Sequence, residues 1–166
     1  MSRVKTYSPK DVVIAWGGVA ITGVAEDTFI TVTRNSDNSD TVVGAQGVVA
    51  HTKIADQTGM IELTLLQNAE ANVVLTDIQL AQDAASDMFF WNMTITDPSG
   101  GMLWDAREAH LRRASDVTLG SGQNAKTYTF FVDELVAVGA NSEIANALGI
   151  ASRVNAAAGV IKSVIG

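Results

Sequence analysis

The sequence predicts a mainly β protein, a two-sheet antiparallel β-barrel or sandwich with one packed α-helix at about residues 69–82 and a C-terminal helical arm. Three observations predict it. Apolar and polar residues alternate with period two in one run after another, as half-buried strands require. Clusters of glycine, asparagine and aspartate punctuate those runs at hairpin spacing. A period of 3.6 appears only around residues 71–85 and again beyond residue 139.

The first run, Asp11-Val12-Val13-Ile14-Ala15-Trp16, is β-branched and ends at Gly17-Gly18, a two-residue hairpin signal. Val19-Ala20-Ile21-Thr22 resumes the strand, Gly23 closes it, and Phe29 to Arg34 alternates again, so the opening reads as a meander. Asn35-Ser36-Asp37-Asn38-Ser39-Asp40 consists of residues that bond their own backbone, and it predicts an exposed loop continuing to residue 47. Val48–Ile54 and Met60–Leu66 flank Ala55–Gly59 and read as a hairpin. Ala71, Val74, Leu75, Ile78, Ala81 and Ala85 then form one helical stripe, with Asn68 as its expected N-cap. Strands return at Met88–Asp97, Met102–Arg113 and Lys126–Val138, the last with Tyr128, Phe130, Val132, Glu134 and Val136 expected on one face.

Residues 1–138 therefore read as the β domain and 139–166 as an arm. The arm has no aromatic residue, and Ile144, Leu148, Ala151, Ala158, Ile161 and Ile165 make an apolar stripe with Glu143, Arg153 and Lys162 as the only charges. A helix over 142–165 would be about 36 Å long. Gly149 and Gly159 would each weaken it by about 1 kcal/mol relative to alanine, and both an arm docking on something else and a helix folded back on its own domain or a frayed tail fit the pattern.

Composition narrows the function. The 166 residues include no cysteine, which removes disulfides, thiolate metal sites and a cysteine nucleophile. No apolar run reaches signal-peptide or bilayer-spanning length, so the sequence predicts a soluble chain with no membrane anchor and no secretion signal. Residues 11–105 hold thirteen carboxylates against Arg34 and Lys53, a net of −11, and the remainder is net positive. Such a section repels nucleic-acid backbones, which require several cations on one face.

Candidate chemistry is sparse. His51 and His110 sit in separate predicted strands without metal-ligand spacing, and Asp37-Asn38-Ser39-Asp40 lacks the glycine and terminal glutamate of a calcium loop. Gly44-Ala45-Gln46-Gly47 precedes a strand rather than a helix and lacks a following Lys-Ser or Lys-Thr, so it is not a phosphate loop. The adjacent carboxylates Glu26-Asp27 and Asp133-Glu134 would point to opposite strand faces and could not share one bond. Arg107, Arg112 and Arg113 form the one basic cluster and read as an ionic contact surface. No catalytic residue, metal or cofactor is expected; a small binding module is the alternative reading.

The order of motifs resembles the tail tube protein family of contractile-tailed bacteriophages. The resemblance rests on Tyr7-Ser8 with Lys10-Asp11-Val12-Val13, on Gly17-Gly18 and Gly23, and on Gly44-Ala45-x-Gly47 opening a strand. It continues through Thr58-Gly59 before Ile61-Glu62-Leu63-Thr64-Leu65, and Asn68 before the helix, covering about residues 7–138. Gln46 replaces an expected acidic residue, and Asn68-Ala69-Glu70 replaces a more usual Ser/Pro-containing start to the helix. The resemblance implies homohexameric rings stacked into a hollow tube inside a sheath, through which DNA passes without binding. It implies a virion tail made in the host cytoplasm, with sheath and baseplate or terminator proteins as partners. A tube subunit of a phage-derived contractile injection system is the variant of this reading. The expected contacts between subunits and rings are Asn35, Ser36, Asp37, Asn38, Ser39 and Asp40 in the loop, Arg107, Arg112 and Arg113, and Ile144, Leu148, Ala151, Ile161 and Ile165 in the arm.

Overall fold

A computed structural model describes residues 6–139. Following a 3-10 turn at Pro9–Asp11, the described elements are β1 (Val13–Trp16), β2 (Val19–Ile21), β3 (Ile30–Arg34), β4 (Ser39–Val43), β5 (Val49–Lys53), β6 (Gly59–Leu65), α1 (Ala71–Ala84), β7 (Trp91–Asp97), β8 (Met102–Arg113) and β9 (Lys126–Gly139). Seven strands form one antiparallel sheet in the order β2-β1-β7-β8-β9-β6-β3, while β4 and β5 pair only with each other. The expected C-terminal arm lies outside the described residues.

The mainly β prediction with one helix holds, but the expected pair of facing sheets is a single curled sheet plus a separate ribbon, and no barrel closes. In a flat sheet β1 and β9 would stand three strand spacings apart, about 14 Å. Here the rings of Trp16 on β1 and Phe130 on β9 meet edge to face with centroids 4.9 Å apart. The sheet has rolled until one face encloses its own core of Ile14, Trp16, Ile61, Leu63, Met93, Ile95 and Phe130. The Trp16 indole N–H donates to the Ala109 carbonyl at 3.1 Å inside that core.

Bulges produce the curl. On β8 Ala106 and Ala109 are both buried although three residues apart, and on β9 Val132 and Leu135 repeat that spacing. The pairing of β7 with β8 shifts between Trp91 and Met93, and Glu108 adopts φ 52° with its amide donating to the Asn92 side-chain oxygen at 3.2 Å. An extra residue on one strand bends it and increases its twist. The strict alternation expected to place Glu134 and Val136 after Val132 therefore fails at this corner, and Leu135 takes the inward position.

The β1–β2 hairpin is as expected: Trp16 pairs with Val19, and Gly17 and Gly18 both have positive φ, as a type I′ turn demands. The meander does not continue, because β3 pairs with β6 rather than β2. Gly23, at φ 80°, turns the chain so that Val24 bridges Leu65 and Ala25 N–H donates to the Thr64 carbonyl at 3.0 Å. This crossing spans the opening between the two ends of the sheet. A Cβ at Gly23 would lie 2.4 Å from Ala69 Cβ, so only glycine allows the close approach.

Helix α1 begins two residues later than predicted, and Asn68 is not its cap. Leu66–Ala69 forms a turn instead, and the buried Asn72 organises it from inside the helix: its side-chain N–H groups donate to the carbonyls of Leu66 at 2.7 Å and Gln67 at 3.1 Å. Its side-chain oxygen accepts from the Tyr128 hydroxyl at 3.1 Å, fastening the helix to β9. Burial raises the Tyr128 phenol above its ordinary pKa, which keeps that donor protonated.

Candidate functional site

Chemistry in this chain is concentrated on surfaces rather than in a cleft. Among the described residues no group of three His, Asp or Glu side chains is placed to hold a metal ion, and no helix is long and apolar enough to cross a membrane.

The largest departure from a compact domain is the β4–β5 ribbon. Val48–Ile54 was expected to pair with Met60–Leu66; its strand, Val49–Lys53, pairs instead with Ser39–Val43, inside the expected loop, and β6 is taken by β3 and β9. The turn is closed by Gly44 N–H donating to the Val48 carbonyl at 2.7 Å and Gly47 N–H to the Gly44 carbonyl at 2.8 Å. Every residue of both strands is exposed. Val42, Val43, Val48 and Val49 at its tip expose 60, 63, 71 and 49% of their surface. A two-stranded ribbon without a core is marginal alone in water, and apolar residues at such a tip gain only when a partner covers them.

The ribbon is held at its base. Asn35 N–H donates to the Thr58 carbonyl at 3.1 Å, and Ile54 N–H to the Asn38 carbonyl at 3.0 Å. Asp56 accepts from the Ser36 hydroxyl and from both the Thr58 amide and hydroxyl. These donors, the Ser36 hydroxyl foremost, lower its carboxyl from 3.8 to about 2. A group whose pKa falls on folding contributes stability above its unfolded value and loses it as the pH drops through the folded value. The tie is thus intact at neutral pH and released between 3.8 and about 2. We expect the Thr58 amide to be protected from hydrogen exchange at about pH 5 and to lose protection across that window, the more sensitive change being confined to the ribbon base. Asp56→Asn should flatten the dependence; an unchanged acid response in that variant would assign it elsewhere.

The expected loop residues thus divide. Asn35 and Ser36 serve the base, Asp37 and Asn38 lead out, and Ser39 and Asp40 begin β4. The three arginines are each engaged within the chain. Arg107 bridges Asp105 at 3.3 Å and its cross-strand neighbour Glu134 at 3.2 Å, and those two carboxylates raise its pKa further. Arg112 lies over the Phe131 ring at 5.9 Å, and Arg113 pairs with Asp116 at 3.3 Å. Ile144, Leu148, Ala151, Ile161 and Ile165 lie outside the described residues.

Two further surfaces were not foreseen from the sequence. The outer edges of β2 and β3 have no strand neighbour among the described residues. Between α1 and the β1–β2 hairpin runs an apolar groove of about 330 Å³, lined by Val19, Ile21, Ala71, Val74, Ile78 and Trp91, with Glu70 at its rim.

Among the described residues two strand edges, the ribbon and the groove are thus left uncovered. Residues 5–139 match the Bacteriophage PhiTE tail tube protein family. The chain belongs to the phage tail tube family. Structural protein ORF10 of Pseudomonas phage KPP10 is 28% identical, the match covering 84% of this chain and 95% of that protein. Among solved structures, the tube terminating cap of the anti-feeding prophage superposes with a TM-score of 0.56 at 12% identity, covering 84% of this chain and 95% of the other. The sheath/tube terminator of the extracellular contractile injection system PVC gives 0.55 at 14% identity, with 82% and 99% covered. A chain of the PVC sheath-tube complex in its extended state gives 0.51 at 15%, with 81% and 92% covered. These three share the fold. Membership makes this tail tube protein a structural component and not an enzyme.

Proposed function

We propose that this tail tube protein is the repeating subunit of a contractile phage tail, six copies closing into a ring and rings stacking into a hollow tube for genome passage. The observation that carries the reading is the family match over residues 5–139. The structure supports it physically. A sheet with both end strands open, β2 at one side and β3 at the other, can join its neighbours edge to edge, and closure around a ring removes the exposed edges that otherwise aggregate. The ribbon extends past the sheet to meet the next ring, and residues 139–166 supply a second contact with another subunit. The net charge of −11 over residues 11–105 disfavours phosphate contacts, so a lumen sharing that charge lets DNA slide. Partners are further copies of the chain, the sheath, and baseplate or terminator proteins, all in the virion tail.

Negative-stain electron microscopy of the purified protein at rising concentration tests the reading. Six-fold rings or hollow rods are expected. Monomers alone, across salt and pH, would point to the single-patch binding module instead.

A further inference from the structure

Two projections leave the sheet from opposite ends. Beyond the pair Arg34–Gly59, Asn35 bonds Thr58, Asn38 bonds Ile54, and Ser39 pairs with Lys53, so β3 and β6 run on into the ribbon as one long hairpin. Gly44 at its tip stands ten residues past Arg34, a reach of up to about 33 Å at 3.3 Å per residue. At the other end β6 finishes at Leu65, opposite Lys126, where β9 begins. Residues 114–125, which join β8 to β9, leave the sheet there. The length of β6, about 20 Å, therefore separates the base of the ribbon from the base of this loop.

The β8–β9 loop is tied at both of its ends. Thr127 N–H donates to the Ser115 hydroxyl at 3.1 Å, and Asn124 N–H to the Gln67 side-chain oxygen at 2.9 Å. The Asn124 side chain also donates to the Thr118 carbonyl at 3.2 Å, between the two apolar residues of the loop. Those residues, Val117 and Leu119, expose 74 and 75% of their surface. Apolar side chains held outward on a hydrogen-bonded loop share the imbalance of the valines at the ribbon tip: burial gains only when an apolar partner covers them.

The two projections correspond in position as well as in character. In the strand order β8-β9-β6-β3, the hairpin that becomes the ribbon lies beside the hairpin that carries the loop, two strand spacings or about 10 Å away. A copy translated along the strands sets its ribbon tip beside the loop of the copy ahead, and a small rotation between copies takes up the sideways offset. Within one chain the tips point away from each other and do not meet. The contact is heterologous, so every copy added leaves one tip and one loop free and the stack grows without limit. We propose that the ribbon tip docks on the β8–β9 loop of a second copy in the next ring, with Val42, Val43, Val48 and Val49 against Val117 and Leu119. The inference rests on the tube reading and names the surface that receives the ribbon.

The absence of native cysteine makes a direct test possible. Full-length Val43→Cys is mixed with full-length Leu119→Cys under assembling, mildly oxidising conditions, and Val49→Cys with Val117→Cys samples a second register. A mixed disulfide dimer as the main cross-linked product of at least one mixture is expected, and no mixed product in either overturns the proposal. Double variants carrying both cysteines of a pair then separate the two kinds of neighbour. Contact between rings carries the covalent ladder past six chains, whereas contact within a ring of six closes it there, and a ladder that stops at six overturns the proposal. Leu119→Asp, at an exposed position that leaves the core intact, should remain folded by circular dichroism and raise the concentration at which rods appear at least about tenfold. Rods at the wild-type concentration overturn the contact. In each of these failures the tube reading stands as long as the wild-type chain forms rods; if it forms none, the tube reading falls and this contact with it.

Discussion

Phe130→Ala should destabilise the folded domain by about 3–5 kcal/mol, a large part of the 5–15 kcal/mol that such a domain possesses. The ring is fully buried and lies where β9 meets β1 across the interior of the curled sheet. Its neighbours in the ladder are Ile61 on β6 and Leu111 on β8, while across the interior it meets Trp16 edge to face at 73°. Removing it deletes the transfer energy of an aromatic ring, opens a cavity that ladder-bonded strands on both sides cannot collapse into, and loses an aromatic pair worth about 0.5–1.5 kcal/mol. The buried hydrogen bond from Trp16 to Ala109 also loses its packing partner. Urea unfolding followed by tryptophan fluorescence measures the effect directly, because Trp16 is the reporter nearest the change. Leu119→Ala, at a position 75% exposed, should stay within about 0.5 kcal/mol. A loss below about 1 kcal/mol for Phe130→Ala would mean that the sheet is not curled as described.

The strands of this sheet were legible in the sequence where one face is buried and the other wet, since that condition writes a period of two. Ile61, Leu63 and Leu65 in β6 and Met93 and Ile95 in β7 are buried in strict alternation. Gly17-Gly18 fixed its hairpin because both positions need positive φ. Pairing was harder to read. β6 was assigned to Val48–Ile54 by proximity, yet a strand that buries one whole face is satisfied by neighbours from anywhere in the chain, and β9 supplies them from more than sixty residues away. The ribbon escaped notice because Ser39 and Asp40 look like loop residues. The signal that identifies it is Val42-Val43-Gly44 mirrored by Gly47-Val48-Val49, two valine pairs around a glycine turn.

Bulges lie beyond alternation altogether. Nothing in the pattern around Arg107-Glu108 or Asp133-Glu134 distinguishes a bend from a continuous strand, because the bend is imposed when two long strands cross one corner together. Asn72 is similar: a lone asparagine on a helix reads as a surface residue, and only the turn at Leu66–Ala69 and the hydroxyl of Tyr128 reveal what it holds. The expected contacts between subunits could be named only as segments, since the sequence of one subunit does not contain the position of the next.

The largest effect on assembly is expected from the ribbon tip. Replacing Val42, Val43, Val48 and Val49 together with threonine keeps β-branching and nearly the same shape while making each side chain polar. In the isolated subunit these residues already face water, so its unfolding free energy should change by about 0.5 kcal/mol or less, as for other surface substitutions. In a tube each valine would move into contact with a neighbouring ring, and covering half or more of a valine gains about 1 kcal/mol. Four of them are worth about 4 kcal/mol per subunit, close to a thousandfold in the concentration needed for assembly. The quadruple variant should therefore remain a folded protein that stays dispersed where the wild type forms rods. Sedimentation paired with electron microscopy across a concentration series reads this outcome. Rods at the wild-type concentration would show that the valines face solvent in the tube, and the exposed apolar tip would then need another partner, outside the stack of rings.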